Sequence, residues 1–75
     1  MLNRIQIIGQ NIRKYRKQRK FAQIDLAVEV GIDRAYLSEI ENGHTNPSIN
    51  TLYAISDALK IQITDLFAEI SDNNQ

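Results

Sequence analysis

The segment of residues 34–41 places an unusual set of side chains on its exposed side. Leu37 and Ile40 are spaced to share one buried helix face. The outer side holds Arg34, Ala35, Tyr36, Ser38 and Glu39. An arginine guanidinium can donate two parallel hydrogen bonds to guanine O6 and N7, the commonest specific contact between a protein and a base edge. Taken alone, an arginine such as Arg34 is more often a solvated surface residue.

Two roles remain open for each of its neighbours. Tyr36 could pack on a thymine methyl group or bond a phosphate, and it could equally belong to the core. Ala35 could contact a thymine methyl group, although many exposed alanines contact nothing. Glu39 could accept a hydrogen bond from cytosine N4, but pairing with a neighbouring arginine is favoured because phosphates repel a carboxylate. The side-chain types therefore permit DNA recognition without requiring it.

Apolar residues recur at steps of three and four, which predicts five short helices and no strand. The first helix covers about four turns, with the apolar stripe Ile5, Ile8, Ile12 and Tyr15. The second and third helices are residues 23–30 and 34–41. The fourth helix carries Ile49, Leu52, Ile55 and Leu59, and the fifth carries Leu66, Phe67 and Ile70. The predicted fold is a compact all-α domain over residues 1–70, followed by a polar tail, residues 71–75.

Residues at the predicted helix ends suit their positions. Gly31 can adopt the left-handed backbone conformation that ends a helix, so it is expected to end the second helix. Asn42-Gly43 would end the third. The expected N-cap residues of the last three helices are Asp33, Ser48 and Thr64. Two short helices joined by a tight turn with glycine form a helix-turn-helix unit, whose second helix enters the major groove in DNA-binding proteins.

The composition excludes several classes of function. The chain has 75 residues, no cysteine and one histidine, His44. With these counts it has no thiolate metal site and no His/carboxylate metal spacing, and it also has no glycine-rich phosphate loop. Neither an enzyme nor a cofactor or metal is therefore expected. No apolar run approaches the roughly 18 residues of a membrane span, and no signal-peptide pattern is present, so the expected location is the cytoplasm.

The charges are distributed unevenly along a chain whose formal net charge is zero. Residues 1–20 hold seven basic residues and no acidic one, namely Arg4, Arg13, Lys14, Arg16, Lys17, Arg19 and Lys20. The basic run in residues 13–20 could attract DNA phosphates. It could also make the first helix a membrane-surface or partner-binding helix. A plain solvated face is the third alternative.

A set of residues spread over nearly the whole chain carries a family resemblance. The set is Ile12-Arg13, Arg16, Gln23, Leu26-Ala27, Gly31, Ile40-Glu41, Gly43, Pro47, Leu52, Ile55 and Ala58-Leu59. With these residues, roughly positions 8–67 resemble the phage-repressor/Cro-type helix-turn-helix domain, also called the XRE family. The stretch "DRAYLSEIENG", followed by "NP", is most similar to the short controller proteins of restriction–modification systems.

The resemblance implies roles for the matching positions. Gln23 would touch the DNA backbone, and Arg16 with Glu41 would form an internal ion pair. The positions implied to face bases or phosphates, together with Gln23, are Arg34, Ala35, Tyr36, Ser38, Glu39, Asn42, Thr45 and Asn46. For Asn42 a helix C-cap is the alternative, and His44 is expected to be a plain loop residue.

Two positions depart from the family pattern. The family usually has Gly where Lys20 stands, and Ser or Thr where Ala22 stands. A left-handed lysine would be strained by roughly 1 kcal/mol, and a missing cap costs about 0.5–2 kcal/mol. We therefore expect a less stable first turn or a different chain path there. Neither position belongs to the implied DNA-facing set.

The resemblance also implies a two-fold dimer, because one recognition helix contacts too few base pairs for useful specificity. Ile63, Phe67 and Ile70 are the expected interface residues, with Tyr53 as a further candidate; the alternative is that they only complete the core.

The resulting prediction is a sequence-specific transcriptional regulator that binds a pseudo-palindromic operator in double-stranded DNA as a homodimer. A restriction–modification controller is favoured, ahead of an antitoxin or phage-type repressor. No membrane partner and no small-molecule ligand are expected. From a different class, the alternative is a protein-interaction or membrane-surface module that works through the basic first helix.

Overall fold

Residues 2–69 are described by the computed structural model, and within them four α-helices precede one 3₁₀ helix, with no strand. The α-helices are α1 (Arg4–Gln18), α2 (Gln23–Val30), α3 (Arg34–Glu41) and α4 (Ile49–Leu59), and the 3₁₀ helix is Ile63–Phe67. The all-α prediction is confirmed over this range. The predicted tail and Ile70 lie outside the described residues.

The core is a cluster of aliphatic side chains from all five elements. Its buried members are Ile8, Ile12, Leu26, Ala27, Leu37, Ile40, Leu52, Ile55, Leu59 and Leu66. The helix α1 packs on α3 and on the 3₁₀ helix, whereas α2 packs on α3 and α4. The predicted stripe of α4 is wrong at its first position, because Ile49 is 55% exposed.

The fifth predicted helix is a five-residue 3₁₀ helix, not an α-helix. Two carbonyl groups at and just beyond its C-terminal end are bonded by a side chain from another element. Asn11 Nδ2 donates to the carbonyl oxygens of Leu66 at 2.9 Å and Ala68 at 2.8 Å, and Asn11 is buried. These bonds attach the end of the described chain to the middle of α1.

The predicted helix caps are correct in part. Ser48 Oγ accepts from the Thr51 amide at 3.1 Å, as an N-cap should. Asp33 occupies the N-cap position of α3, but its side chain makes no cap bond within the described chain. Thr64 is not a cap, because Gln62 occupies the N-cap position of the 3₁₀ helix. The backbone amide of Gln62 donates to Asp65 Oδ2 at 3.0 Å.

The connection from α1 to α2 contains both departures from the family pattern. Lys20 has a φ of 60°, in the left-handed region that favours glycine. Ala22 is the N-cap residue of α2, and an alanine side chain has no atom that can accept from the first turn. Both features cost free energy at this turn, as expected from the two departures.

We expect the substitution Ala22→Ser to raise the free energy of unfolding by about 1 kcal/mol, because a hydroxyl would accept from a free amide of α2. Urea denaturation followed by circular dichroism would measure this change. The matched control is Ser48→Ala, which removes an existing cap bond and should lower stability by a similar amount. An unchanged Ala22→Ser variant beside a weakened Ser48→Ala variant would contradict the expectation.

Gly9 lets the end of α3 rest directly on α1. A Cβ atom at Gly9 would lie 2.7 Å from the Glu41 carbonyl oxygen and closer still to that of Ile40. Both obstacles are backbone atoms, which cannot rotate away as the end of a side chain can. The close approach is what brings the Glu41 side chain within reach of Arg16.

Candidate nucleic-acid interface

The helix-turn-helix unit forms over the predicted ranges, residues 23–30 and 34–41. Gly31 has a φ of 84°, and its amide donates to the Ala27 carbonyl at 2.8 Å. The Ile32 amide donates to the same carbonyl at 3.0 Å, and the Ile32 side chain packs against the core. Ala27 is fully buried, which allows α2 and α3 to meet closely.

One stripe on the outer side of α3 lies at the surface of the protein. Arg34, Ala35 and Glu39 are exposed and Ser38 is half-buried, while Leu37 and Ile40 are buried beneath them. We call the stripe of Arg34, Ala35, Ser38 and Glu39 the recognition face. Its position at the surface follows from the buried pair, because Leu37 and Ile40 fix the rotation of α3 about its axis.

The other predicted contact residues differ in exposure. Tyr36 is half-buried and packs against the core cluster, so core packing accounts for part of its surface. Asn42 is exposed as the C-cap of α3 and continues the recognition face one turn beyond Ser38. In the loop that follows, Asn46 is exposed and Thr45 is half-buried.

A buried ion pair lies beneath this surface, between α1 and α3. Arg16 Nε donates to Glu41 Oε2 at 2.7 Å, and Arg16 Nη2 donates to Glu41 Oε1 at 3.1 Å. The third donor, Arg16 Nη1, bonds the Phe21 carbonyl at 2.8 Å. Arg16 is 7% exposed and Glu41 is 3% exposed. This fork geometry satisfies both charges where water cannot reach them.

Gln23 connects the buried pair to the recognition face. Its Nε2 donates to Glu41 Oε1 at 3.0 Å. Its Oε1 is the acceptor of a long contact, 3.5 Å, from Arg34 Nη1. One N–H of the Gln23 amide is therefore bonded inside the protein, and only the other is free for an external acceptor. The sequence pattern did not indicate these bonds, because their partners lie 11 and 18 positions away.

Glu39 does not pair with an arginine as predicted. Its Oε1 lies 3.5 Å from Nδ1 of His44, and both side chains are more than half exposed. The backbone holds them together, because the His44 amide donates to the Glu39 carbonyl at 2.9 Å. Glu39 follows Arg34 by more than one turn of α3, so no arginine on its own helix reaches it.

An apolar groove lies beside the first turns of α1. Its volume is about 780 Å³, and it is lined by Asn3, Arg4, Ile5, Ile7, Ile8, Asn46 and Phe67. Of the predicted interface residues, Phe67 is 45% exposed at this groove, Tyr53 is 52% exposed on α4, and Ile63 packs against the core. Ile70 lies outside the described residues.

Within residues 2–69, no three His, Cys, Asp or Glu side chains are grouped so that they could hold a metal ion. None of the helices in this range is long and apolar enough to cross a membrane.

The arrangement of these helices agrees with a known family. A family model named HTH_3 and described as helix-turn-helix matches residues 12–66. The chain belongs to this helix-turn-helix family. The resemblance predicted from the sequence is thereby confirmed, and α2 and α3 are the two helices that give the family its name.

Two relatives differ in how much of their own length this chain covers. The HTH-type transcriptional regulator SlrR of Bacillus subtilis is 47% identical over 62 residues, which make up 81% of this chain and 41% of SlrR. Control protein C.MunI of Mycoplasma sp is 38% identical over 71 residues, 92% of this chain and 96% of C.MunI. The chain thus spans less than half of SlrR but nearly all of C.MunI.

A solved structure has the same architecture. The crystal structure of SinR, described as the master regulator for biofilm formation, in complex with DNA has a TM-score of 0.76 and 40% identity to this chain. The similarity covers 81% of this chain and 98% of the SinR chain.

Proposed function

We propose that this protein is a transcriptional regulator that binds a pseudo-palindromic DNA operator as a homodimer. The observation that carries the proposal is the recognition face of α3. It presents a guanidinium, a methyl group, a hydroxyl and a carboxylate in one stripe, on a helix whose rotation is fixed by buried residues. These are the groups that distinguish base pairs in the major groove.

The contacts divide into base recognition and backbone binding. Arg34 would donate to guanine, while Ala35 and Ser38 would lie against neighbouring bases. Asn42, Thr45, Asn46 and the free N–H of Gln23 would bond phosphates, which position the helix without recognising sequence.

Dimer formation would double the recognition face. Two copies related by a two-fold axis would place their α3 helices about 34 Å apart, one turn of B-DNA. We propose Phe67, Ile63 and Tyr53 as interface residues, with Ile70 as a proposed further member. The Phe67 ring supports this choice, because it is 45% exposed at an apolar groove that Ile5 and Ile7 also line, and a contiguous apolar patch is typical of an interaction surface.

A charge placed in this interface should separate the subunits. We expect Phe67→Asp to convert a dimer to a monomer at micromolar concentration, because a carboxylate in an apolar contact must be desolvated without a partner. Analytical ultracentrifugation measures the result. The matched control, Val28→Asp, places the same charge at an apolar side chain that is 72% exposed on α2. Equal behaviour of the two variants would argue against this interface.

A restriction–modification controller is the regulator type that we favour. The support is the 38% identity to C.MunI over 71 residues, together with the stretch "DRAYLSEIENG" followed by "NP". An antitoxin or a phage-type repressor remains the second candidate. An enzyme is not proposed, because the sequence holds no catalytic arrangement and the family match concerns the helix-turn-helix unit.

A selection from genomic DNA tests the proposal. Purified protein is incubated with sheared source DNA, including the region upstream of its own gene, at about physiological salt. The retained fragments are then sequenced. Enrichment of an inverted repeat with half-sites one helical turn apart is the expected result. Retention without sequence preference, or no retention, would contradict a sequence-specific regulator.

A further inference from the structure

Four polar residues of α1 form a stripe along one side of that helix. They are Gln10, Arg13, Lys14 and Lys17, at spacings of three, four and seven, and all four are exposed. We call them the basic stripe. Together with Glu41 and Asn42 they line a pocket of about 410 Å³ between α1 and the end of α3. The pocket therefore has three cationic side chains on one wall.

The carboxylate in this pocket does not cancel the positive charge of the stripe. Glu41 is already bonded by Arg16 through two hydrogen bonds and by Gln23 through a third. Arg13 Nε lies 3.7 Å from Glu41 Oε1, but half of the Arg13 side chain is exposed while the Glu41 side chain is fully buried. Because Arg16 and Glu41 neutralise each other, the stripe presents an excess positive charge to solvent.

The basic stripe continues the recognition face. Asn42 belongs to both, since it lines the pocket and lies one turn beyond Ser38 on α3. The eight residues of α3 rise about 12 Å along the helix axis, close to the width of the DNA major groove. If the N-terminal end of α3 contacts bases in the major groove, the C-terminal end of α3 lies at the edge of that groove. The pocket would then face the DNA strand that forms this edge.

We propose that the basic stripe binds the sugar–phosphate backbone next to the half-site that α3 recognises. This inference rests on the proposed DNA-binding function and extends it to α1. The stripe is about 10 Å long, and its three cationic side chains could contact up to three phosphates, one each. The contacts would raise affinity for every sequence, because phosphates carry no base information.

The other basic residues near this helix provide a matched control. Arg19 and Lys20 follow the end of α1 and do not line the pocket, and Lys60 follows α4. The test variant replaces Arg13, Lys14 and Lys17 with Gln, and the control variant replaces Arg19, Lys20 and Lys60 with Gln. Both lose three positive charges from exposed positions. Circular dichroism checks that both fold.

The experiment measures affinity against salt concentration for the full chain on a duplex recovered by the selection, and on a scrambled duplex. Removing one phosphate contact should reduce the slope of log K against log salt by about 0.9, so the slope of the stripe variant should fall by up to about 2.7 per protein chain. The slope of the control variant should fall by less than half as much. A Lys14→Arg, Lys17→Arg variant should keep the wild-type slope, because the charges remain.

The outcomes separate this inference from the proposed function. Equal slopes for the stripe and control variants, with operator preference intact, would overturn the inference alone. The wild-type protein could instead bind all sequences equally while the salt slope still falls in the stripe variant. That result would support the backbone contact and contradict the proposed operator recognition. Vesicles rich in phosphatidylglycerol form a second arm. Stripe-dependent binding to vesicles, with an unchanged DNA slope, would assign the stripe to a membrane surface and overturn the inference.

Discussion

Glu41→Gln should lower the free energy of unfolding by about 3–5 kcal/mol, because it leaves the charge of Arg16 buried without a counter-charge. Arg16 is 7% exposed, and its guanidinium would retain only neutral acceptors such as the Phe21 carbonyl. Small domains have a total stability of about 5–15 kcal/mol. The variant should therefore be partly unfolded under mild conditions, which urea denaturation followed by circular dichroism would measure.

Two further variants separate the buried charge from the loss of a side chain. In Arg16→Met combined with Glu41→Leu both charges are absent, so the double variant should be more stable than either single charge deletion. Glu39→Gln removes a carboxylate that is 56% exposed in its side chain, and it should change stability by less than about 1 kcal/mol. A Glu41→Gln variant no weaker than Glu39→Gln would show that the pair is not a buried charge pair in solution.

The same substitution should affect the recognition face through Gln23. Glu41 Oε1 accepts from Gln23 Nε2, and this bond leaves Gln23 Oε1 facing Arg34. A glutamine at position 41 can present either an oxygen or an amide nitrogen to Gln23, so the orientation of the Gln23 amide would no longer be fixed. The contact that restrains Arg34 then weakens, which couples the stability of the core to DNA recognition.

The fold was predictable from the sequence where buried periodicity and glycine acted together. The ranges of α2 and α3 followed from apolar spacing and from Gly31, whose positive φ the structure has. The last element was not predictable. Leu66 and Phe67 indicated an α-helix, but the segment is a five-residue 3₁₀ helix whose end is bonded by Asn11 through the carbonyl groups of Leu66 and Ala68. A polar residue 55 positions away leaves no periodic signal.

The candidate site was likewise predictable from the sequence only in part. Exposure of Arg34, Ala35 and Glu39 follows from the buried positions of α3, which the sequence indicates directly. The partners of these residues do not follow, because they depend on which loops and helices meet. Glu39 faces His44 from the next loop, and of the basic residues of α1, Arg13, Lys14 and Lys17 line the pocket while Arg16 is buried in its pair with Glu41. Charge counts along the chain cannot distinguish these positions.

Arg34→Ala should remove most of the operator preference of the protein. A bidentate contact to guanine contributes about 1–3 kcal/mol of discrimination, and a two-fold dimer would lose two such contacts. We therefore expect affinity for the selected operator to fall roughly 30-fold to 10⁴-fold, with a much smaller change on a scrambled duplex. Fluorescence anisotropy titrations on the two duplexes at one salt concentration would measure both affinities.

Three control variants assign the effect to the guanidinium fork and not to its charge. Arg34→Lys keeps the charge but lacks the fork, so it should also lose most of the preference. Arg19→Ala removes an equal charge beyond the end of α1, and it should weaken both duplexes by a similar small factor. Gln23→Ala should give an intermediate loss, because Arg34 keeps its donors but loses the 3.5 Å contact that restrains them. If Arg34→Ala weakens both duplexes equally, Arg34 is a phosphate contact and another residue of the recognition face determines the sequence.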